Sequence, residues 1–178
     1  VRNDELYTIG MESNDGFTRT FDQTATGTAF GESAQMIFIK SYEKAICDGD
    51  HIYGIIKSTG INQDGNSAGV TAPNPISQQE VILDTWNSAG INPEDLGFIE
   101  IHGTATRLGD TIEYKSLNKA FRNYTQKNGI CAVTTVKPNF GHMSEGAGLF
   151  SLIKGLEILK YGVIPKNILF DQPNNSID

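Results

Sequence analysis

The chain has 178 residues, 38 % hydrophobic and 20 % charged, with a net charge of −7. That composition excludes a disordered chain and suits a single domain, or most of one, able to bury roughly 70 % of its unfolded surface. The acid excess, with no Lys/Arg patch, argues against a nucleic-acid partner. The longest apolar stretch, Leu149 to Ile164, is no membrane span because Lys154, Glu157 and Lys160 interrupt it.

The N-terminus carries neither an initiator Met nor a signal peptide, and the polar run Asn174–Asp178 brings no closing element, so a piece of something longer is expected. Ala34–Lys40 is apolar and partly β-branched and predicts a strand. A short helix, Tyr42 to Cys47, follows and breaks at Asp48-Gly49-Asp50; His51–Ser58 predicts a second strand. Residues 62–75 (NQDGNSAGVTAPNP) are rich in Gly, Asn and Pro and fit a long loop at a subdomain boundary. Ser77-Gln-Gln-Glu80 has the form of a capping box opening a helix with Ile82, Trp86 and Ala89 on one face and a stop at Gly90.

Phe98–Ile101 predicts a short strand. Leu117, Ala120, Phe121 and Tyr124 then repeat at i, i+3, i+4, i+7, so a helix runs from about Asp110. Ile130–Val136 predicts another strand, and Leu149, Leu152, Ile153, Leu156 and Leu159 mark an amphipathic helix ending at Gly162. Alternating strands and helices indicate an α/β layered fold with its sheet between helices. Cys47 and Cys131 make neither a disulfide framework nor a zinc cluster; Cys131 reads as a buried strand thiol, and a reducing, cytoplasmic setting follows.

Two histidines occupy matching places in successive strand–loop–helix units. His102 follows the strand Phe98–Ile101, and His142 follows Ile130–Val136 just before the long helix. Parallel strands would bring both loops to the carboxyl edge of the sheet, where functional groups of open α/β sheets gather. Each loop is rich in glycine, which permits tight turns and close backbone approach. Lys137 lies five residues before His142; Asp110 and Glu113 open the helix after the first loop and are candidate partners for its charge. Thr104 and Thr106 add hydroxyls beside His102. Three other motifs fail on context. Gly65-Asn-Ser67-Ala-Gly69 has the letters of a hydrolase nucleophile elbow without the strand before and helix after. His102, Asp110, His142 and Glu145 match no zinc spacing, and Gly60–Ser67 lacks the lysine of a phosphate loop, so no metal is expected.

The stretch FIEIHGTATRLGDTIE (Phe98–Glu113) resembles the histidine loop of β-ketoacyl synthases, E-A-H-G-T-G-T-x-x-G-D-P-I-E. TTVKPNFGHMSEGAG (Thr134–Gly148) resembles their second block, S-V-K-S-N-I-G-H-x-x-x-A-A-G. FDQTATGTAFGE, DGDHIYGII and NQDGNSAGVTAPNPISQQ align in order with the intervening segments, so the likeness runs from about Asp15 to Pro173 and is nearest to ketosynthase domains of modular polyketide synthases.

The resemblance implies a thiolase-like layered αβαβα fold, only partly covered. Residues 1–61 would be the end of its N-terminal half and 62–178 most of the C-terminal half. It also implies decarboxylative Claisen condensation between an acyl thioester on a cysteine and a malonyl-type unit on an acyl carrier protein. By the same carry-over, His102 and His142 donate to the thioester carbonyl and Lys137 holds His142, with Glu113 as the partner of that lysine. Thr104 and Thr106 contact the phosphopantetheine arm, and Asp110 and Asn139 support the loops. No cofactor is implied beyond that arm; the partners implied are the carrier protein, the rest of a multidomain synthase and a second copy in a homodimer. The family's nucleophile motif, D-T-A-C-S-S, would lie upstream, so the chain alone is expected to be inactive. Its departures are Ala105 for a glycine, Thr111 for a proline, and Pro138 and Phe140 for Ser and Ile. The competing reading is a non-catalytic or decarboxylation-only module serving as a scaffold or docking domain.

Overall fold

A computed structural model describes residues 11–67, 69 and 72–177. Part of the 62–75 loop, including Ala68 of the Gly65–Gly69 motif, and the first ten residues lie outside the described set. Five helices and one pair of strands organise the rest: α1 (Tyr42–Asp48), α2 (Pro75–Ala89), β1 (Phe98–Glu100), α3 (Arg107–Arg122), β2 (Ala132–Thr134), α4 (Lys137–Phe140) and α5 (Ala147–Tyr161).

The helices follow their end signals. α1 is capped by Ser41, whose Oγ accepts the Lys44 amide at 3.4 Å, and closes on Gly49 at φ 72°. α2 starts two residues before the expected capping box. Pro75 sits at its first position with φ preset for a helix, and Asn74 Oδ1 accepts the amides of Ile76 (3.0 Å) and Ser77 (3.4 Å), so Ser77 is already inside the first turn and buried. It stops at Gly90 (φ 62°) as expected. α3 begins at Arg107 rather than near Asp110, and α5 closes on Gly162 at φ 65°.

β1 and β2 pair in parallel in the register Phe98↔Ala132, Ile99↔Val133, Glu100↔Thr134. The Ile101 amide donates to Thr134 O at 2.9 Å and carries the pairing one step further. α2 and α3 pack together beside this pair. Trp86 of α2 meets Phe121 of α3 at 4.9 Å between ring centroids, and Phe21, Ile101, Leu117 and Ala120 complete the buried cluster. Tyr124, one turn past Phe121, edges against Trp86 and donates its hydroxyl to Asn87 Oδ1 at 2.7 Å.

Neither Ala34–Lys40 nor His51–Ser58 forms the expected strand. A strand needs a neighbour to take its alternate N–H and C=O groups, and among the described residues none flanks these segments. Their apolar side chains stay open: Met36 is 93 % and Phe38 91 % exposed. The second segment nevertheless packs through Gly54 on Leu156 of α5, and two residues beyond it Gly60 packs on Thr85 of α2. Cys131 is half-buried just before β2, its thiol pushed up by burial, and Cys47 is exposed on α1. Among the described residues no helix is long and apolar enough to cross a membrane.

Candidate active site

Because β1 and β2 run parallel, the chain leaves both at the same edge: through Ile101 into the His102 loop, and through Thr135 and Val136 into α4. The loops close around one point. The His102 and His142 rings stand edge to face with centroids 5.2 Å apart.

Short-range geometry fixes the first loop. Gly103 adopts φ 56°, and a Cβ there would lie 2.7 Å from Thr20 Cγ2 and 3.1 Å from Thr135 Cβ, so only glycine fits. Thr20 Oγ1 donates to Gly103 O at 2.6 Å. Glu113, from the second turn of α3, accepts the amides of His102 (2.6 Å) and Gly103 (2.8 Å) on its two carboxylate oxygens. Asp110, fully buried one turn earlier, accepts the amide of Ala105 (2.9 Å) on one oxygen and that of Phe21 (2.8 Å) on the other. Ala105 (φ 59°) and Phe21 (φ 64°) both occupy the left-handed region, which costs a non-glycine residue about 1–2 kcal/mol. One buried carboxylate thus anchors the amides of two strained residues. Burial above all, with the neighbouring Glu113 charge, pushes the Asp110 carboxyl up to about 7 against those amides and Lys137.

Lys137 opens α4 and is 2 % exposed. Its ammonium donates to His102 O and lies 3.4 Å from His102 Nδ1. This corrects two expectations. Lys137 engages His102 rather than His142, and it makes no ion pair with Glu113, because both oxygens of that carboxylate are turned to backbone amides. Glu113 acts on the lysine through space instead: burial lowers the Lys137 pKa, and the charges of Glu113, Glu100 and Asp110 oppose that drop.

His142 is held by a segment that sequence reasoning left out of the site. Its amide donates to Ala29 O at 2.7 Å, its carbonyl accepts the Gly31 amide at 3.0 Å, and the Phe30 ring stacks on the imidazole at 6.3 Å. The available cue was Gly31, where a Cβ would fall 2.1 Å from Phe140 O. Thr104 and Thr106 are half-buried with hydroxyls 3.2 Å apart; Thr106 precedes α3 without capping it, which leaves its hydroxyl to this pairing. Asn139 is exposed in α4, and its amide bonds Val136 O at 3.1 Å. His102, Asp110, His142 and Glu145 do not assemble: among the described residues no three His, Cys, Asp or Glu side chains group as metal ligands would. Ser67 Oγ donates to Gly69 O at 2.8 Å, and among the described residues of 61–74 none lies in a helix or strand.

The electrostatics set one protonation state. Burial first, then the Lys137 ammonium and His142, hold the His102 imidazole down to about 4, although one edge of the residue stays open to solvent. Burial and Lys137 lower His142 as well. The Ser144 amide donates to His142 Nδ1 at 3.0 Å, which leaves the ring proton on Nε2. An ammonium only donates, so Lys137 beside His102 Nδ1 selects the same tautomer there. Two neutral imidazoles, each with an Nε2–H, therefore share one edge of the sheet next to a buried cation. Such a set stabilises negative charge developing on an oxygen.

Residues 53–171 match the family model for the C-terminal domain of β-ketoacyl synthases. The chain is 39 % identical to the polyketide synthase ThaG of Burkholderia thailandensis over 98 % of its own length and 3 % of that protein. It is 40 % identical to PksL of Bacillus subtilis over 95 % of its length and 4 % of that relative. Among solved structures, ketosynthase twelve of the bacillaene polyketide synthase of Bacillus amyloliquefaciens superposes with a TM-score of 0.93 at 37 % identity, covering 100 % of this chain and 31 % of that one. A ketosynthase from module 6 of the Bacillus subtilis bacillaene synthase gives a TM-score of 0.90 at 34 % identity, covering 98 % and 31 %.

Proposed function

Because the chain belongs to the β-ketoacyl synthase family, we propose that its parent is a polyketide-synthase ketosynthase that forms carbon–carbon bonds by decarboxylative Claisen condensation. The backbone has the thiolase-like α/β ketosynthase fold, covered in part. In this reading a cysteine in the preceding part of the parent carries the acyl group as a thioester. A malonyl-type thioester on an acyl carrier protein loses carbon dioxide, and its carbonyl oxygen takes up the negative charge of the enolate. The enolate carbon then attacks the acyl carbonyl, the cysteine sulfur leaves as thiolate, and a β-ketoacyl thioester remains on the carrier.

The observation that carries this reading is the pair of converging neutral imidazoles, 5.2 Å apart, whose Nε2–H groups are free to meet the oxygen that becomes negative. Lys137 fixes the His102 tautomer and supplies a positive field. Thr104 and Thr106 border the approach of the phosphopantetheine arm. The finer parts of the proposal are a homodimeric parent in the cytoplasm, a boundary between the two halves near residues 61 and 62, and no activity from this chain alone. Unpaired segments such as 34–40, with Met36 and Phe38 exposed, agree with a surface that the rest of the ketosynthase covers.

The test supplies the intact parent with an acyl thioester and a malonyl-loaded carrier protein and weighs the carrier by mass spectrometry. A β-ketoacyl carrier is expected. Carbon dioxide release without chain extension, or no reaction, contradicts the proposal and favours a decarboxylating or scaffold module.

A further inference from the structure

Glu100 and Lys154 form a buried charge pair that the proposed chemistry does not use. Glu100 ends β1 and Lys154 lies in the middle of α5, with Nζ 2.9 Å from Oε2 and side chains only 8 % and 13 % exposed. Neither carboxylate oxygen accepts a well-directed hydrogen bond among the described residues, so the lysine charge is what chiefly offsets their lost hydration. Burial pushes the Glu100 carboxyl up, opposed first by Lys154, then by the Val136 backbone amide and by Lys137. A buried ion pair is weak evidence for stability, since apolar residues of similar volume often do as well. Its value here lies in what it connects.

The Lys154 ammonium also donates to Thr134 Oγ1 at 2.6 Å, and Thr134 is the register partner of Glu100 on β2. Thr134 Oγ1 reaches Asn167 Oδ1 at 3.3 Å, and that oxygen accepts the Thr135 amide at 3.2 Å. Thr135 Oγ1 in turn donates to His102 O at 3.5 Å and accepts the Lys137 amide at 3.4 Å. One ammonium therefore joins the last residue of β1, the last residue of β2 and helix α5. These elements launch the His102 loop, launch Lys137, and follow the His142 loop.

We infer that Lys154, acting through Glu100 and Thr134, is a positioning residue that sets the relative placement of His102, Lys137 and His142 for condensation. The inference rests on the condensing function proposed above. Without Lys154 the ends of β1 and β2 lose the one donor that ties Glu100 and Thr134 to α5, and the loops that follow them lose their common reference.

The test is made in the intact parent ketosynthase, with turnover counted per acylated enzyme and thermal unfolding followed in parallel. Lys154→Met is expected to lower kcat about 10–100-fold with KM unchanged, the range caused by small misplacements of reacting groups. Lys154→Arg, which keeps a cation, is expected to recover most of that loss. Should the single variant not fold, the doubly neutral Glu100→Gln/Lys154→Met leaves no unpaired charge and is expected to fold while keeping the kcat deficit. Wild-type kcat per acylated enzyme in either neutralised variant, a change confined to KM, or a lower melting temperature alone overturns the inference. A wild-type parent that yields no β-ketoacyl product overturns the proposed function and this inference together.

Discussion

Replacing His142 by alanine in the intact parent is expected to slow condensation at least about 10²-fold, the order lost when one donor to a developing oxyanion is removed. The reason lies in how the ring is held. Its backbone is bonded on both sides to the 29–31 segment, its Nδ1 is occupied by the Ser144 amide, and the Phe30 ring lies alongside. A side chain fixed by so many contacts delivers its Nε2–H without reorganisation. Acyl transfer to the cysteine is expected to suffer less than carbon–carbon bond formation, because enolate charge develops only in the latter. Single-turnover assays of the two half-reactions separate them; condensation at the wild-type rate in His142→Ala removes the role assigned here.

Lys137→Met is expected to be the most damaging conservative-volume change in the chain, lowering the stability of the intact ketosynthase by about 3 kcal/mol or more, as expected when one member of a buried set of charges is removed. The ammonium is almost wholly buried, and Glu113, Glu100 and Asp110 all act on it. Its loss removes the one ammonium that acts on all three, leaving Glu113 and Asp110 with only their backbone amides and Glu100 with Lys154. It also frees the His102 carbonyl and Nδ1, so the imidazole loses the contact that selects its tautomer. Burial still disfavours the imidazolium, so activity is lost through misplacement of the proton more than through protonation of the ring. Urea unfolding and condensation assays of the same preparation check both parts, and a variant as stable and active as the wild type contradicts them.

What could be read in advance divides along a physical line. Periodicity found α3 and α5, glycine stops at 90 and 162 placed helix ends, and the matched positions of His102 and His142 gave their meeting at one sheet edge. All of these depend on residues near each other in sequence or on parallel pairing inside the chain. The strands expected at 34–40 and 51–58 have the right composition, but a strand is completed by a neighbour, and none lies among the described residues. The capping box expected at Ser77 missed the start of α2, which lies at Pro75 because a preset φ and the Asn74 side-chain acceptor act at the same turn. Charge pairing suggested Glu113 for Lys137, yet Glu113 is taken by amides, which leave no trace in a list of side chains. The same blindness hid residues 29–31, whose hold on His142 is mostly backbone.

The nitrogen spectra of the two imidazoles bear on this account more directly than any rate. In the intact ketosynthase with ¹⁵N-labelled histidine, His102 and His142 are each expected to show an unprotonated Nδ1 and a protonated Nε2 at pH 7. For His102 the ordinary imidazole value of 6.5 is lowered to about 4, so the neutral form persists on acidification to about pH 5. His102→Ala and His142→Ala assign the signals. Nδ1–H tautomers, or a His102 imidazolium already present near pH 6.5, would contradict the claim that two neutral rings present Nε2–H to a single oxygen.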